Sequence, residues 1–493
     1  MLEMEKIIAR ISDTVAISLL KYGNPPVAIP NKIAIEMAKE KLEMNFGMYK
    51  IQIGLFIFLH MIKNFEELAE NTIKKFINAR RDALEIMDYV LEEMNGYNLI
   101  KKRVKIFKKA IFIDGRKFNL SCKKIFLTGF GKASASMAKA MEEIIEFDEG
   151  YVISTEEINL RKAKLLKGTH PFPSEENIKA TEKIIEIFER ADENDLIFVL
   201  ISGGGSSLLC RPSISLKSMI EMTKELMEKG CTIEELNTVR KHISDVKGGK
   251  LAKKTKAKII SLIISDIIGN PVEFISSGPT SPDTTTFHDA MNILKKYGIK
   301  NKEVVQHIKK GIKGKIDETP EKIDNVENVI IADNEMACKK AKKKAEEKGY
   351  YSRVVSTKVR GEAVNAGRDL AIYAKIYPRN RSVLIFGGET TVKVKGKGNG
   401  GRNQELVLSS IKEISDENIV IISCGTDGID GSSLAAGAIA DGYSYEKASE
   451  KGLNIEEYLR ENNSYEFFKK MGDAIITGYT GTNVMDLQII VKL

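Results

Sequence analysis

Short, continuously apolar segments alternate with segments of helical periodicity from residue 124 to the end of the chain. An apolar run without polar alternation is typical of a parallel strand that is covered on both faces. Chains in which such strands alternate with helices form α/β domains. We therefore predict an α/β protein with mainly parallel sheets. The nine predicted strands are Lys124–Gly129, Tyr151–Ser154, Leu196–Ser202, Lys258–Ser265, Val329–Asp333, Ser352–Ser356, Ser382–Phe386, Ile419–Cys424 and Leu487–Val491, and the clearest helices are Lys132–Phe147, Asn177–Arg190 and Glu335–Lys348.

The same pattern divides the chain into three parts. The first 60 residues differ from the rest, with three prolines between two helical stretches and then an apolar run. A long amphipathic segment follows from Met61, and Asn95-Gly96 is expected to end its helix. The polar stretch Lys310–Glu327 is the best linker candidate. We predict an N-terminal appendage over residues 1–60, which a start codon placed too far upstream would also explain, a larger domain over 61–318 and a smaller one over 319–493.

A glycine-rich turn follows the first predicted strand. Gly129 and Gly131 allow a tight turn, and Lys132 begins a helix whose free N–H groups attract anions. The turn is not a Walker A loop, because the glycine five residues before Gly131 and the hydroxyl residue after Lys132 are missing. It does match a relaxed dinucleotide fingerprint that ends at Ser134, with Glu156 and Glu157 after the next strand. A strand-to-helix turn without a ligand is the alternative.

A second turn carries three consecutive glycines, Gly203, Gly204 and Gly205, followed by Ser206 and Ser207 at a helix start. Such a run is costly in backbone entropy, so a merely structural turn seldom needs it. Its N–H groups could cradle a phosphate. A nucleophilic serine is the competing interpretation. It lacks the GxSxG pattern and an evident base, because the chain has only five histidines.

Asp266 stands at the end of the next strand, ahead of Asn270 and a turn over residues 276–280. Its carboxylate could hold a metal or accept a hydroxyl proton, and turn capping is the alternative. His170 precedes a proline-rich helix start and is a candidate substrate contact. A lone histidine is more often structural than catalytic.

Two further turns bring charged residues to strand ends. Glu389 follows Gly387-Gly388, and Arg402 begins a helix after the glycine-rich segment Gly398–Gly401. Arginine beside glycines suits a bidentate clamp on an anion. Asp427 and Asp430 flank a glycine after another strand, and one or two carboxylates together with substrate phosphates commonly hold Mg²⁺.

Composition and charge narrow the function. There are 76 Lys and Arg residues against 68 Asp and Glu, a net charge of +8 that is spread along the chain. This mild excess favours small anionic substrates over a nucleic-acid surface. The longest apolar run has 12 residues, short of the roughly 20 in a membrane-spanning helix. Five cysteines without a CxxC pair indicate a reducing, cytoplasmic compartment. The residues alone leave a nucleotide-dependent kinase, an NAD(P)-dependent oxidoreductase and a non-catalytic binding module open.

Eight motifs together resemble the class II glycerate kinases, which carry a MOFRL-type C-terminal domain. In chain order they are GFGKAS, GTHPFPSEEN, LISGGGSS, LNTVRKHISDVKGGKLA, SDIIGNP with SSGPT, GGETTV with GKGNGGRNQE, GTDGIDG and TGTNVMDL. The resemblance implies a Rossmann-like N-terminal domain, an active site in the interdomain cleft, and phosphorylation of D-glycerate by ATP and Mg²⁺, usually to 2-phosphoglycerate. A hydroxypyruvate reductase that uses NAD(P)H is the alternative, because relatives have been given that label.

The resemblance also implies residue roles. It assigns catalysis to three residues, and we add hypotheses for the rest, including a homodimer with no nucleic-acid or membrane partner. The catalytic residues are Lys132, Asp266 and Arg402; the nucleotide or phosphate contacts are Gly203, Gly204, Gly205, Ser206, Ser207, Gly401 and Asn403; the substrate contacts are Gly131, His170 and Asn483; and the metal ligands are Glu389, Asp427 and Asp430.

Overall fold

Three helices and a small antiparallel sheet begin the described part of the protein, which in the computed structural model is residues 60–493. The predicted appendage over residues 1–60 therefore lies outside the described residues, apart from His60. The long helix ends at Met94 as predicted, and the Asn95 side chain caps the next helix by accepting a hydrogen bond from the Tyr97 N–H at 2.9 Å. These elements are α1 (Phe65–Glu70), α2 (Lys74–Met94), α3 (Gly96–Arg103), β1 (Val104–Phe107), β2 (Ala110–Ile113) and β3 (Arg116–Asn119).

The first large sheet has six parallel strands in the order β6-β5-β4-β7-β8-β9. The chain starts near the middle at β4, builds outward to β6, and returns to build the other half from β7. This is a doubly wound Rossmann order, and its direction changes between β4 and β7. The strands are β4 (Ile125–Phe130), β5 (Glu149–Ser154), β6 (Lys164–Lys167), β7 (Leu196–Ile201), β8 (Lys258–Ile264) and β9 (Val326–Ala332).

The helices that follow these strands pack on the sheet and extend it on one side. Strand β7 is buried along its whole length, and α5 places its apolar face against the sheet. A second apolar cluster lies among the helices between β7 and β9. The helices are α4 (Ser134–Glu142), α5 (Glu175–Arg190), α6 (Gly205–Leu208), α7 (Leu216–Glu228), α8 (Ile233–His242), α9 (Lys250–Lys253), α10 (Phe287–Lys296) and α11 (Lys302–Ile312).

The second large sheet is mixed, in the order β10-β11-β15-β12-β13-β14. Only β10 and β11 are parallel, while the other four pairs are antiparallel. The α/β class is confirmed, whereas the expectation of mainly parallel strands holds for the first sheet and is wrong for the second. The strands are β10 (Tyr351–Val359), β11 (Ser382–Gly388), β12 (Ile419–Gly425), β13 (Gly437–Asp441), β14 (Ala474–Ile475) and β15 (Asp486–Lys492), and the helices are α12 (Asn334–Glu347), α13 (Ala363–Ile376), α14 (Arg402–Ser410), α15 (Ser444–Glu450), α16 (Ile455–Arg460) and α17 (Ser464–Met471).

Helix α2 ties the beginning of the described chain to this second sheet. Its Arg80 is fully buried and pairs with Asp441 at 2.6 Å and with Asp473 at 2.8 Å. A buried arginine is tolerated when carboxylates compensate its charge, and losing one partner of such a group is strongly destabilising. The second half of the fold therefore depends on a helix more than 200 residues upstream of its own strands.

All nine predicted strands are present. The structure also has further strands in both large sheets, and the small antiparallel sheet β1-β2-β3 is not among the predicted elements. The first sheet takes its last strand, β9, from residues after position 319, and the domain boundary at 318/319 remains a prediction. Within residues 60–493, no helix has the length and apolar character needed to cross a bilayer.

Candidate active site

The turn after β4 packs directly on the turn after β7, at the point where the first sheet changes direction. Gly131 has φ +128°, and a Cβ there would lie 2.3 Å from the Ser202 hydroxyl. The N–H of Lys132 donates to the Gly203 carbonyl at 2.8 Å, and the N–H of Ala133 donates to Ser202 Oγ at 3.0 Å. Only glycine permits this approach. The two turns thus form one rigid platform from which the Lys132 side chain projects.

Glycines of the β7 turn allow four predicted site residues to converge. A Cβ on Gly203 would lie 2.4 Å from the Asp266 carboxylate and 2.5 Å from the Asn483 amide nitrogen. A Cβ on Gly204, which has φ +82°, would meet His170 and Lys132 at 3.1 and 3.2 Å. The glycines therefore serve close approach as well as turning.

Serines beside the same turn adopt an uncommon backbone conformation. Ser276 and Ser277 have φ of 52° and 63°, a left-handed region that L-residues seldom occupy. Ser277 is held there by hydrogen bonds, because its Oγ lies 3.0 Å from that of Ser206 and donates to Asn237 at 2.7 Å. Backbone strain of this kind persists where the surroundings fix it, and it clusters at functional sites.

An ion pair joins the two large sheets across the site. Lys132 Nζ lies 2.7 Å from Asp427 Oδ2, and both side chains remain partly exposed, at 23% and 13%. Lys132 follows β4 of the first sheet and Asp427 follows β12 of the second. The sequence predicts an active site where the two halves of the chain meet, and this ion pair is a direct contact between those halves.

Arg402 is held by two carboxylates at the edge of the second sheet. Its Nε and Nη2 donate to both oxygens of Asp486 at 2.6 and 2.9 Å, and its Nη1 lies 3.1 Å from Glu389. Strand β15 runs between β11 and β12 and pairs Asp486 with both Gly388 and Gly425. This register brings Asp486, Glu389 and the Asp427 turn to one edge. The two carboxylates raise the pKa of Arg402 far above its ordinary value against the opposing effect of desolvation.

Burial and neighbouring charges perturb the acids of this cluster. Desolvation raises the pKa of Asp266 to about 6, and Lys132 partly offsets this. Desolvation together with Asp486, Asp266 and Asp427 raises the pKa of Glu389 to about 7, against the effect of Arg402. Among residues 60–493, no side chain donates a hydrogen bond to the Asp266 carboxylate or forms an ion pair with it, since Lys132 is bonded to Asp427 instead. That carboxylate is thus available to a substrate.

Other predicted residues are committed to contacts within the protein. Asp430 is buried and accepts hydrogen bonds from the backbone and side-chain nitrogens of Asn403 and Gln404, at 2.9 to 3.3 Å. A Cβ on Gly401 would lie 2.3 Å from the Asp430 carboxyl carbon. Asp430 therefore caps helix α14, and Asn403 also accepts from Ser423 at 2.6 Å. These contacts position Arg402, and they leave Asp430 and Asn403 no open face toward the cluster.

The remaining acids offer oxygen ligands that suit magnesium. Within the described chain, no three His, Cys, Asp or Glu side chains are arranged as a complete metal site. Mg²⁺ usually needs only one or two carboxylates in addition to substrate phosphates. Asp427 is partly exposed beside Lys132, and one carboxylate oxygen of Glu389 contacts the guanidinium of Arg402. These two carboxylates fit such an ion, whereas Asp430 does not.

Glu156, an acid on which the dinucleotide interpretation of the first turn depends, is hydrogen-bonded inside the protein. Glu156 accepts hydrogen bonds from the Ser136 N–H at 3.0 Å and its hydroxyl at 2.6 Å, within α4. A dinucleotide site would need this carboxylate free for a ribose hydroxyl. Ser134 likewise donates back to the Gly131 carbonyl at 2.8 Å. Glu157, the second acid after this strand, is exposed and pairs with Lys167 at 2.7 Å. With Glu156 and Ser134 both used inside the protein, the fingerprint match reflects a packed strand-to-helix turn.

Three residues of this region are not among the predicted site residues. Asp486, the partner of Arg402, follows a polar turn and has no local pattern that sets it apart. Arg240 and Lys247 lie in the LNTVRKHISDVKGGKLA motif and line a cavity that reaches Asp266. The sequence signal for these two residues is the presence of both cations in one short motif.

Comparison with known proteins agrees with this architecture. A domain of unknown function, DUF4147, matches residues 82–312, and the MOFRL family matches residues 382–486. A glycerate 2-kinase of Pyrococcus horikoshii is 41% identical over 84% of this chain and 97% of its own length. A D-glycerate 2-kinase of Thermotoga maritima is 40% identical over 80% of this chain and 98% of its own. The crystal structure of a glycerate kinase from Thermotoga maritima superimposes with a TM-score of 0.74, at 36% identity, over 84% of this chain and all of that one.

The doubly wound sheet, the paired glycine turns and the lysine–carboxylate cluster define an α/β kinase. The relatives named above match this chain along nearly their whole length, and the match covers 84% of this chain. The chain belongs to the glycerate 2-kinases of the MOFRL family.

Proposed function

We propose that this protein transfers the γ-phosphoryl group of ATP to the C2 hydroxyl of D-glycerate, giving 2-phosphoglycerate and ADP. The observation that carries the proposal is the carboxylate of Asp266, to which no side chain of residues 60–493 donates a hydrogen bond, beside the Lys132–Asp427 pair at the switch point of the first sheet. Phosphoryl transfer depends on positioning and positive charge, which this arrangement supplies. The names of the relatives support the choice of acceptor.

Asp266 acts as the base. Its raised pKa of about 6 leaves it ionised near neutral pH and makes it a better proton acceptor than an ordinary aspartate. It takes the proton of the C2 hydroxyl as that oxygen bonds to the γ-phosphorus. The bond between the γ-phosphorus and the β–γ bridging oxygen breaks, and ADP leaves with its electron pair.

Lys132 and Arg402 stabilise the charge that develops on the phosphoryl oxygens. Preorganised donors of this kind contribute strongly because they need no reorganisation during the reaction. Asp486 fixes the guanidinium of Arg402 by a bidentate contact, and Lys132 stands on the rigid platform of the two turns. The β7 turn from Gly203 to Ser207 offers N–H groups and hydroxyls to phosphates.

Magnesium would be held by Asp427 and Glu389 together with phosphate oxygens. When bound, it would supply positive charge to the β- and γ-phosphates. His170 and Asn483 border the same space and would contact substrate. His170 does so as a neutral imidazole, because desolvation and the charge of Lys132 lower its pKa to about 4.

Release of ADP with each candidate acceptor tests the proposal. Purified protein with ATP and Mg²⁺ should form ADP with D-glycerate, and much less with L-glycerate or water alone. A parallel reaction with hydroxypyruvate and NADPH should leave the NADPH absorbance unchanged. Oxidation of NADPH without ADP formation would replace the kinase by a reductase.

A further inference from the structure

Two consecutive residues, Asp333 and Asn334, bond to the turns that carry site residues of both large sheets. They lie where β9, the last strand of the first sheet, ends and helix α12 begins. Both are almost completely buried, at 8% and 3% exposure. The side chain of Asp333 bonds to the turn after β8 of the first sheet, and the side chain of Asn334 bonds to the start of β15 in the second.

Asp333 holds the turn that follows Asp266. One of its carboxylate oxygens accepts a hydrogen bond from the Met336 N–H at 2.7 Å and so caps α12. The other oxygen accepts from the side-chain amide of Asn270 at 2.6 Å. Asn270 has a left-handed φ of 57°, and its N–H donates to the Ile267 carbonyl at 3.1 Å, which closes a turn directly after Asp266. Capping uses only the first oxygen, so the second contact serves the turn.

Asn334 holds a strained turn at the start of β15. Its amide nitrogen donates to the carbonyls of Val484 at 2.8 Å and Asp486 at 2.9 Å. The residue between these two, Met485, has φ 67°, a conformation that residues other than glycine seldom adopt. Such strain persists only where the surrounding groups fix it. Asn334 therefore helps to hold the backbone from which the Asp486 side chain reaches Arg402.

Further contacts show how closely Asn334 and this turn are fitted. A Cβ on Gly387 would lie 1.9 Å from Asn334 Oδ1, so β11 leaves space for the asparagine only because position 387 is glycine. Thr426 also fixes the turn, because its hydroxyl donates to the Met485 carbonyl at 2.6 Å and accepts from the Val484 N–H at 2.9 Å. The strained backbone is thus held by two side chains from different parts of the chain.

The geometry of the site depends on how the two sheets meet. Asp266 follows β8 of the first sheet, whereas Arg402 is held by Asp486 of β15 in the second. Asp333 and Asn334 are joined by a single planar peptide bond, which limits their independent movement. One rigid unit therefore contacts both the turn of the base and the turn of the arginine.

We propose that Asp333 and Asn334 are positioning residues, which hold the base and the arginine of the site at a fixed separation. Asp333 acts on the turn that follows Asp266. Asn334 acts on Arg402 through the backbone of Asp486. Because a misplacement of about 1 Å can lower a rate about 100-fold, this separation matters to phosphoryl transfer. The inference rests on the proposed function for the roles of the base and the arginine.

Reversal of the Asn270–Asp333 hydrogen bond tests the first contact. Asn270→Asp places one carboxylate against another. Asp333→Asn has a single acceptor oxygen, which cannot serve both Asn270 and the helix cap. In the double variant the amide introduced at 333 donates to the carboxylate introduced at 270, and its oxygen still caps α12. We expect kcat to fall about 10- to 100-fold in each single variant, to recover in the double variant, and the KM values for ATP and D-glycerate to stay within about threefold.

Asn334→Ala tests the second contact, with Asn325→Ala as its matched control. Asn325 precedes β9 at the other end of the strand, and its amide also donates to two carbonyls, those of Thr255 at 3.2 Å and Ala257 at 2.8 Å. Both substitutions remove two hydrogen bonds and should lower the melting temperature. Only Asn334→Ala should lower kcat, again about 10- to 100-fold with little change in KM. The variants at 270 and 333 keep the test decisive if Asn334→Ala does not fold.

Hydrogen–deuterium exchange reports on the two turns without any need for activity. Asn270→Gly removes the amide but tolerates the left-handed backbone, and it should speed exchange in peptides that cover residues 265–270. Asn334→Ala should speed exchange in peptides that cover residues 483–486. Asn325→Ala should leave both regions at the wild-type rate.

The outcomes separate this inference from the proposed function. Unchanged kcat in folded variants, unchanged exchange in both turns, or a loss of kcat in Asn325→Ala equal to that in Asn334→Ala would overturn the inference. A wild-type protein without kinase activity, whose turns still loosen in the two variants, would refute the proposed function and leave the positioning of the two turns standing.

Discussion

Asp266→Asn removes the ionisation of this side chain while keeping its size and shape. Burial raises the pKa of Asp266 to about 6 in the folded protein, from an ordinary value of 3.8. A difference of this size corresponds to about 3 kcal/mol. Above pH 6 the folded protein holds a desolvated carboxylate that the unfolded chain would expose to water. The group therefore opposes folding above pH 6, and this penalty disappears as the pH falls below about 4.

The expected effect on stability is a gain that depends on pH. In EDTA, the variant should be more stable than the wild type by up to about 3 kcal/mol at pH 8, and by about 1 kcal/mol at pH 4.5. Chemical denaturation at both pH values measures the difference. Asp289→Asn is a matched control of opposite sign, because the pKa of Asp289 is lowered mainly by the Thr286 hydroxyl. That control should lose stability at pH 8.

The same substitution should abolish most of the activity. A positioned general base contributes about 10²- to 10⁴-fold to a rate, so ADP formation should fall within that range. Gained stability together with lost turnover is typical of a catalytic group held in an unfavourable environment. A variant that is as active as the wild type, or less stable at pH 8, would refute the role and the electrostatic reasoning.

Three further substitutions test the surrounding cluster. Lys132→Ala should lower turnover at least about 10²-fold, and should shift the melting temperature little, because its pair with Asp427 is partly exposed and contributes at most about 1 kcal/mol. Asp486→Asn should cost about 3–5 kcal/mol in urea unfolding, because it removes the buried partner of Arg402; unchanged stability would contradict that arrangement. Asp427→Asn should raise the Mg²⁺ concentration needed for half-maximal activity after EDTA treatment, whereas Asp430→Asn should lower the melting temperature and leave the Mg²⁺ dependence unchanged.

The first sheet could be predicted well because its strands are buried on both faces. Strand β7, Leu196–Ile201, is apolar at every position, and this alone identifies a central parallel strand. Strand β6, Lys164–Lys167, has no apolar run that would predict it, because it is a short edge strand with lysine at both ends. The β2–β3 hairpin is not among the predicted elements, although Asp114-Gly115, with φ of 48° and 80°, is a strong hairpin signal.

Strand direction in the second sheet could not be read from the pattern. Strand β15 lies between β11 and β12 and is antiparallel to both. Burial on both faces produces the same apolar run in either direction, and direction depends on where distant segments pair. The local sequence of Leu487–Val491 therefore identified a strand but not its neighbours.

The site was predictable where backbone chemistry demanded a residue type. Glycine at 131 and 203 is required by close contacts, so the turns could be recognised from sequence. Asp427 and Asp430 are three residues apart in one loop, yet one faces Lys132 and the other caps a helix. A local pattern cannot separate these two uses of a carboxylate.

The central claim is most directly tested by the identity of the phosphorylated product. Purified protein is incubated with D-glycerate, ATP and Mg²⁺ and coupled to phosphoenolpyruvate formation through enolase, once alone and once with phosphoglycerate mutase. We predict full signal with enolase alone, because the account places the phosphoryl group on the C2 oxygen. Signal that appears only when the mutase is added would mean transfer to C3 and would contradict the account.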